Sequence, residues 1–321
     1  MILIITNKED ITADYVVLEL QKRNIEYIRI NTEDFPTKSF SSVIFNKNTE
    51  LIFNTPNKKI NLSKIKSVWY RRPIKPNIDS SIKNEAVREF CLNEARDFLR
   101  GLWYSLDCFW VSDMEAIRKA EHKIYQLKIA KELGLNIPKT IISNNPEKVE
   151  RFYHNCNGEM IIKPLFVGFI DDEKPKAIYT SQVNLMDLQE KDSIKYIPSI
   201  FQKKINKKFD IRVTIIGEKV FAAEIHVNRN NKEKVIDWRK LKIEQLDHFE
   251  HDLPINLKNK LIKLVKKLGL EFGAIDLAVT EEGEYIFFEI NPNGQWAWLE
   301  ETMDWPLSKE IVDLLIRGDN K

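Results

Sequence analysis

The sequence predicts an α/β chain built as two or three compact lobes, and three observations carry that reading. It begins with alternation: MILIIT reads as a buried strand, DYVVLELQKR as an amphipathic helix and IEYIRI as a second strand. From about residue 177 the pattern turns to sheet, with AIYTSQV, IKYIPSIFQKKI, DIRVTIIG and KVFAAEIHV as strand candidates separated by turns. The chain then closes with an amphipathic helix, NLKNKLIKLVKKLGL, and a hairpin, GAIDLAVTEEGEYIFFEINPNG. A length of 321 residues at 43% hydrophobic composition suffices for a substantial core.

Between these landmarks, FSSVIFN, ELIFN and SVWYRRP add strand signals, and residues 79 to 102 read as one long helix with a broad apolar face. The aromatic segment LWYSLDCFW closes a first lobe near residue 110. SDMEAIRKAEHKIYQLKIAKELGL reads as a single helix, because Ser112 sits three residues ahead of Glu115 as in a capping box and Gly134 can end it. IPKTIISN, NPEKVERFYHNC and GEMIIKPL follow as strand, helix and strand, the last ending at Lys163.

Composition excludes several classes. Lys plus Arg number 50 against 48 for Asp plus Glu, so the formal charge of +2 gives little attraction for nucleic acid, and runs such as KKINKK at 203 to 208 read as solvated faces. The apolar start is too short for a secretory signal, and no stretch has the length to span a bilayer. Cys91, Cys108 and Cys156 are too few and too irregular for a disulfide scaffold or a zinc knuckle. The expected compartment is the cytoplasm.

The final hairpin carries the strongest chemical signal. With EEGE at 281 to 284 as the loop, Thr280 faces Tyr285 and Asp276 lies opposite Glu289; alternation puts Asn291 on the Glu289 face. Opposed carboxylates need something positive between them, and this oxygen set suits magnesium. A register differing by one residue would instead turn Asp276 outward. Asp210, Arg212 and Thr214 alternate on FDIRVTII, Lys163 ends MIIK, and Lys123 lies near the edge of a packed helix face. Such cations beside bound magnesium match the charge of a nucleoside triphosphate, although a lone strand-end lysine is ordinarily just exposed. No P-loop or dinucleotide fingerprint is present, so a triphosphate site would be assembled from separated elements.

Together these segments resemble an ATP-grasp enzyme, and more closely the ATP-grasp peptide maturases of the microviridin-type or graspetide group. The resemblance lies in SVWYRRP (67 to 73), HKIYQLKIAKELGLNIPKTIISNNPE (122 to 147), MIIKP (160 to 164), FDIRV (209 to 213), IDWR (236 to 239), GAIDLAV (273 to 279) and EINPNGQWAWLE (289 to 300). It implies an N-terminal pre-ATP-grasp domain over 1–110, a small central domain over 111–185 with the leader contact, and a C-terminal ATP-grasp domain over 186–321.

By motif position the resemblance implies Lys123 and Lys163 as nucleotide-contacting lysines, with Gly168 in the phosphate-covering loop. It implies Asp276, Glu289 and Asn291 as magnesium ligands and Arg212 as the arginine at the reacting phosphate and acyl oxygens, with Asp210 and Arg239 beside it. The adenine hinge would be YIPSIFQKKI, contributing Gln202, Lys203 and Ile205, with Phe201 or Ile205 packing on the base. Relatives often carry an acidic residue after that glutamine, where this chain has Lys203. Arg71, Arg72 and Trp238 are candidates for contacting an acidic core peptide; equally, the arginine pair could form internal salt bridges and the tryptophans could be core.

The implied reaction is ATP-dependent ligation. A Glu or Asp side chain of a ribosomal precursor is activated as an acyl phosphate, and a Thr or Ser hydroxyl or a Lys amine then attacks it, giving an internal ester or amide. ATP and magnesium are the expected cofactors and a leader-bearing precursor the expected partner, with a homodimer admitted and no nucleic acid or membrane. A ligase joining separate molecules would use the same nucleotide residues; WYRRP, DWR and the need for a leader argue against it. A non-enzymatic peptide-binding module would not need the magnesium triad.

Overall fold

A computed structural model describes residues 1–166, 168–170, 176–228 and 235–318. The chain forms two compact units, and neither is continuous in sequence. The first comprises Met1–Met114, Gly269–Phe272 and the segment from Gln295 onward; the second comprises Glu115–Leu268 and Gly273–Gly294.

In the first unit a four-stranded parallel sheet runs in the order Tyr27–Asn31, Ile2–Thr6, Ser67–Tyr70, Phe109–Val111. All five residues of Ile2–Thr6 are buried, which is why that strand reads as an unbroken apolar run rather than an alternation. Helices Ile11–Lys22 and Leu307–Gly318 pack together, so the C-terminal helix completes the N-terminal fold. A second sheet, Phe40–Phe45, Thr49–Asn54 and Lys59–Asn61, buries Leu51, Phe53 and Ile60 against the same core as Leu99, Leu102 and Trp103. Those last three come from the helix Glu85–Tyr104, which begins at 85 rather than 79 because the Asn84 side chain caps it by accepting from Val87 N.

Arg71 follows the third strand, and its place fits the internal salt bridge of the two readings the sequence leaves open. The residue is 1% exposed, with Nε 3.2 Å from Asp10 Oδ2 and Nη2 donating to Gln295 Oε1 at 2.7 Å. Thr6 Oγ1 donates to the same Asp10 oxygen at 3.0 Å. A guanidinium sealed this way is an internal ion pair, not a surface for peptide. Trp69 beside it is core as well. Arg72 differs: its side chain is exposed, its φ is 49°, and its carbonyl accepts from Asn7 Nδ2 at 2.7 Å.

The second unit holds two sheets. The smaller is antiparallel, in the order Ser181–Val183, Met160–Lys163, Ser199–Lys203, Thr140–Ser143. It buries Met160, Val183 and Phe201 under Val149 of the helix Pro146–Asn155. The larger runs Leu246–Glu250, Lys219–Val227, Lys207–Ile216, Phe272–Thr280, Tyr285–Asn291.

Several boundaries differ from expectation. The strand Ser199–Lys203 bonds to strands on both sides of it, so the smaller sheet extends to Lys203 instead of ending near 185. The segment preceding that strand, expected as strand, is the helix Lys191–Tyr196. AIYTSQV holds the end of one short strand, Lys176–Ala177, and the whole of a second, Ser181–Val183. The stretch read as one helix is two, Met114–Ala120 and Lys123–Glu132, parted at Glu121 and His122. Ser112 does not cap it, because its Oγ accepts instead from Glu271 N at 2.8 Å and Phe272 N at 3.2 Å. Cys91, Cys108 and Cys156 are free thiols, and among the described residues no helix is long and apolar enough to cross a membrane.

Candidate active site

The hairpin Phe272–Thr280 and Tyr285–Asn291 positions the two central carboxylates. At its tip Thr280 N donates to Glu284 O and Gly283 N to Thr280 O, with Gly283 at φ +84°, the left-handed residue such a turn requires. The pairing there is Val279 with Tyr285, one residue from the expected Thr280 with Tyr285. A bulge between Asp276 and Leu277 then absorbs Phe288, and below it Asp276 faces Glu289 and Ala274 faces Asn291. The functional end of the hairpin thus has the expected register although the tip does not.

Glu289 is surrounded by cations. Lys123 Nζ lies 3.1 Å from Oε2, and Arg239 Nη1 donates to Oε1 at 3.4 Å. Burial alone would raise the Glu289 pKa, but Lys163, Lys123 and Arg239 together hold it down at about 2. Lys123 opens its helix and also donates to Pro164 O at 3.1 Å, so it stands at the end of the Met160–Lys163 strand. One turn on, Gln126 holds the Glu289 strand by its backbone: Nε2 donates to Ile290 O at 2.8 Å and Oε1 accepts from Ile290 N at 3.1 Å.

Lys163 is only 8% exposed, and among the described residues no carboxylate lies within ion-pairing distance of its Nζ. The ammonium sits 6.0 Å from the Phe288 ring centroid, and burial pushes its pKa down. Arg212 Nη1 donates to Asp276 Oδ1 at 2.7 Å, and Asp210 on the same strand face is buried with Lys207 Nζ 2.6 Å and 2.9 Å from its two oxygens. Burial nonetheless raises Asp210 to about 6. Gly294 closes the turn after Asn291: a Cβ there would fall 2.3 Å from Ala274 Cβ and 3.3 Å from Arg212 Nη2.

A cavity of about 950 Å³ joins these groups, lined by Lys163, Gln202, Lys203, Ile205, Asp210, Trp238, Arg239, Asp276 and Glu289 among others. Lys123 and Arg212 reach it through Glu289 and Asp276. Ile205 rather than Phe201 faces the space, since Phe201 belongs to the core of the smaller sheet. Gln202 is 1% exposed and commits its amide to Thr140 Oγ1 at 2.9 Å. Gly168 and Asn291 do not line the cavity. A Cβ on Gly168 would meet Ile178 O at 2.2 Å, which ties that glycine to the small hairpin of Phe169–Ile170 and Lys176–Ala177; Asn291 is exposed and its Oδ1 accepts from Asn293 N at 2.9 Å.

Comparison with known proteins gives the same answer over the whole chain. Residues 1–118 match the family model described as the MvdD pre-ATP grasp domain. The chain is 32% identical to the macrocyclase MdnC of Microcystis aeruginosa MRC, solved with its precursor peptide MdnA, covering 99% of both chains at a TM-score of 0.89. The chain belongs to the microviridin-type ATP-grasp macrocyclase family. A RiPP-associated ATP-grasp ligase of Chryseobacterium gregarium, solved with ADP and a leader and core peptide, is 34% identical, with 98% of this chain and 96% of that one covered and a TM-score of 0.91. A more distant similarity, 27% over 187 residues, links it to the alpha-aminoadipate–LysW ligase LysX of Sulfurisphaera tokodaii; the match spans 56% of this chain and 62% of LysX.

As a macrocyclase of this family the protein is an ATP-grasp ligase that crosslinks residues within a ribosomally made precursor peptide. Three residues that shape this region, among others, carry no signal in the sequence reading. Phe288 should alternate away from Glu289, and only the bulge lets both line the cavity. Gln126 acts through backbone atoms 164 positions away, which no local pattern reveals. Asp237 lies in the IDWR segment, where the sequence points to Trp238 and Arg239 alone.

Lys163 yields a test of its own. Its folded pKa lies below the ordinary 10.5, so the buried charge costs stability at neutral pH, and the protein regains that stability as pH rises toward 10.5. Lys163→Met is therefore expected to keep or raise the thermal midpoint and, on the expectation that Lys163 meets a nucleotide phosphate, to weaken ADP binding by about 10- to 100-fold. Calorimetry and a thermal scan on one preparation read both effects. Unchanged ADP affinity would return Lys163 to a purely structural role.

Proposed function

We propose that this macrocyclase activates side-chain carboxylates of a precursor peptide with ATP and closes rings onto Thr or Ser hydroxyls or Lys amines. The observation that carries the reading is the set Lys123, Lys163, Arg212 and Arg239 gathered about two facing carboxylates at one cavity, with Lys163 buried and no carboxylate within ion-pairing distance of it among the described residues. A carboxylate oxygen of the peptide takes the terminal phosphoryl group, and the bond from that phosphorus to ADP breaks. The hydroxyl or amine then attacks the acyl carbon and loses its proton, and phosphate leaves with the bonding electrons. Activation is needed because a carboxylate is a poor electrophile.

The donor set suits a hard cation, since the facing carboxylates of Asp276 and Glu289 offer oxygens and would hold magnesium, with Asn291, whose Oδ1 here accepts from Asn293 N, as the proposed third ligand. Among the described residues no cluster of three or more His, Cys, Asp or Glu forms a metal site of another kind. Magnesium, when bound, supplies charge neutralisation for the phosphates. Lys123 and Lys163 meet phosphate oxygens, and Arg212 follows charge developing on the acyl oxygen. At the hinge, Lys203 N donates to Lys139 O and Lys204 N to Glu159 O, which leaves Ile205 to meet the base. ADP, leader and core peptide in the Chryseobacterium complex support the nucleotide and the partner. The leader is assigned to the smaller sheet, near Pro146–Asn155 and Ser181–Val183.

Incubation of the protein with ATP, magnesium and the precursor peptide encoded beside its gene tests the reading. Intact mass should fall by one water per link, and fragmentation locates each link. A mass gain from a second molecule would instead mark a ligase joining separate substrates. Arg72, exposed and followed by Pro73, is proposed to steer the acidic core: Arg72→Ala is expected to raise the half-saturating precursor concentration by about threefold to tenfold with kcat unchanged, and added salt should reproduce part of the loss. A lowered kcat at unchanged half-saturation would remove Arg72 from peptide binding.

A further inference from the structure

The geometry points to Asp237 as a positioning residue that latches the smaller sheet to the turn Trp238–Lys240 and, through the same carboxylate, aims Arg239 at Glu289. The inference rests on the proposed reading of Arg239 and Glu289 as parts of the reacting site.

Asp237 is 6% exposed and uses both oxygens. Oδ1 accepts from Arg239 N at 3.2 Å and from Arg239 Nε at 2.8 Å. Oδ2 accepts from Arg239 Nη2 at 2.8 Å and from Thr180 N at 3.3 Å. The Nε and Nη2 bonds form a parallel fork, which fixes the guanidinium plane and leaves Nη1 to reach Glu289 Oε1 at 3.4 Å. The Thr180 bond is of another kind. Thr180 immediately precedes Ser181–Val183 in the smaller sheet, whereas Asp237 lies in the connection that follows Lys219–Val227 in the larger one. One carboxylate therefore ties two sheets together and orients an arginine.

Neighbouring contacts act in the same sense. Lys207 Nζ, held by Asp210, donates to Ile236 O at 2.9 Å, and Lys240 Nζ lies 5.8 Å from the Tyr179 ring centroid. The turn is fastened on both flanks, and Thr180, Lys207 and Asp237 all line the cavity. Burial opposes the Asp237 charge, but the bonds from Arg239 hold its carboxyl below the usual range. One carboxylate thus holds the smaller sheet at Thr180 and the Arg239 guanidinium at the same time, which suits an activated acyl group that must be kept from water until its acceptor attacks.

Asp237→Asn is the discriminating variant. Asparagine keeps Oδ1 for the turn but puts an NH2 where Oδ2 stood, opposing one donor to two others. In the ligand-free protein, amide hydrogen exchange at Thr180 is expected to accelerate by at least about tenfold. Crosslinking kcat should fall by at least about tenfold while the precursor KM stays within about twofold. An unchanged Thr180 rate, or accelerated exchange throughout the smaller sheet at Ile161 and Ile200 as well, would overturn the latch. Arg239→Lys is the second variant, because it loses the fork yet leaves Oδ2 for Thr180: slow exchange with a reduced kcat is expected, and acceleration equal to that of Asp237→Asn would also overturn the proposal. The exchange measurement uses protein without nucleotide or peptide. A wild type that crosslinks nothing would therefore count against the proposed reaction and leave the latch to be judged by Thr180.

Discussion

Glu289→Gln is expected to reduce crosslinking by about 10³-fold or more, the largest effect of any single substitution here. The argument is electrostatic. One carboxylate answers three cations, Lys123, Lys163 and Arg239, and the amide that replaces it answers none. The variant loses a proposed metal ligand and also leaves partly buried positive charge uncompensated. Stability should change with a definite pH signature. The Glu289 pKa is about 2 in the fold against an ordinary 4.5, so its stabilising contribution is fully present above about pH 4.5 and is lost as pH falls toward 2. Glu289→Gln should therefore flatten the acid limb of a stability profile between those values. Denaturant titrations at several pH values read it, and a variant that crosslinks at the normal rate under limiting magnesium would remove Glu289 from the metal site.

Arg212→Lys is expected to lower kcat by about 10²-fold while ADP affinity and precursor binding stay within about threefold. The guanidinium donates to Asp276 Oδ1 at 2.7 Å, and Gly294 packs close to its Nη2, so both its charge and its shape are fitted. Lysine keeps the charge and loses the fork. If the arginine acts on charge that develops only as the acyl group reacts, the loss falls on kcat, not on binding. Arg212→Ala should be worse in kcat and less stable, because it leaves Asp276 without its ion-pair partner. Single-turnover rates measured beside calorimetric affinities separate the cases. A loss confined to precursor affinity would move Arg212 to the peptide-binding side.

What was legible in the sequence follows from the range of the interactions concerned. The Asp210, Arg212, Thr214 alternation and the facing of Asp276 by Glu289 are strand periodicities, and the structure has both. The cap expected at Ser112 is absent because its hydroxyl answers backbone N–H groups of Glu271 and Phe272, about 160 positions away, and the helix expected after it is parted at Glu121 and His122. Arg71 could not be assigned from its own segment, since Asp10 and Gln295 seal it from opposite ends of the chain. The two units do not follow a linear order for the same reason: the segment from Gln295 onward returns to the N-terminal unit. Lys163 was visible as a strand end, but its burial was not.

The bulge at Phe288 makes the terminal hairpin a slip joint. A strand pair without one transmits any change of turn length along its whole ladder and inverts every side chain beyond it. Here the misfit between the three-residue tip and the carboxylate end is already absorbed at a single point. The tip at Glu281 to Gly283 is therefore offset by one residue from the far end of the ladder, where Asp276 and Glu289 keep their partnership. The same joint holds Phe288 in the cavity wall beside Lys163, so deleting that one residue would leave Asp276 opposite Glu289 and withdraw an aromatic face from the cavity.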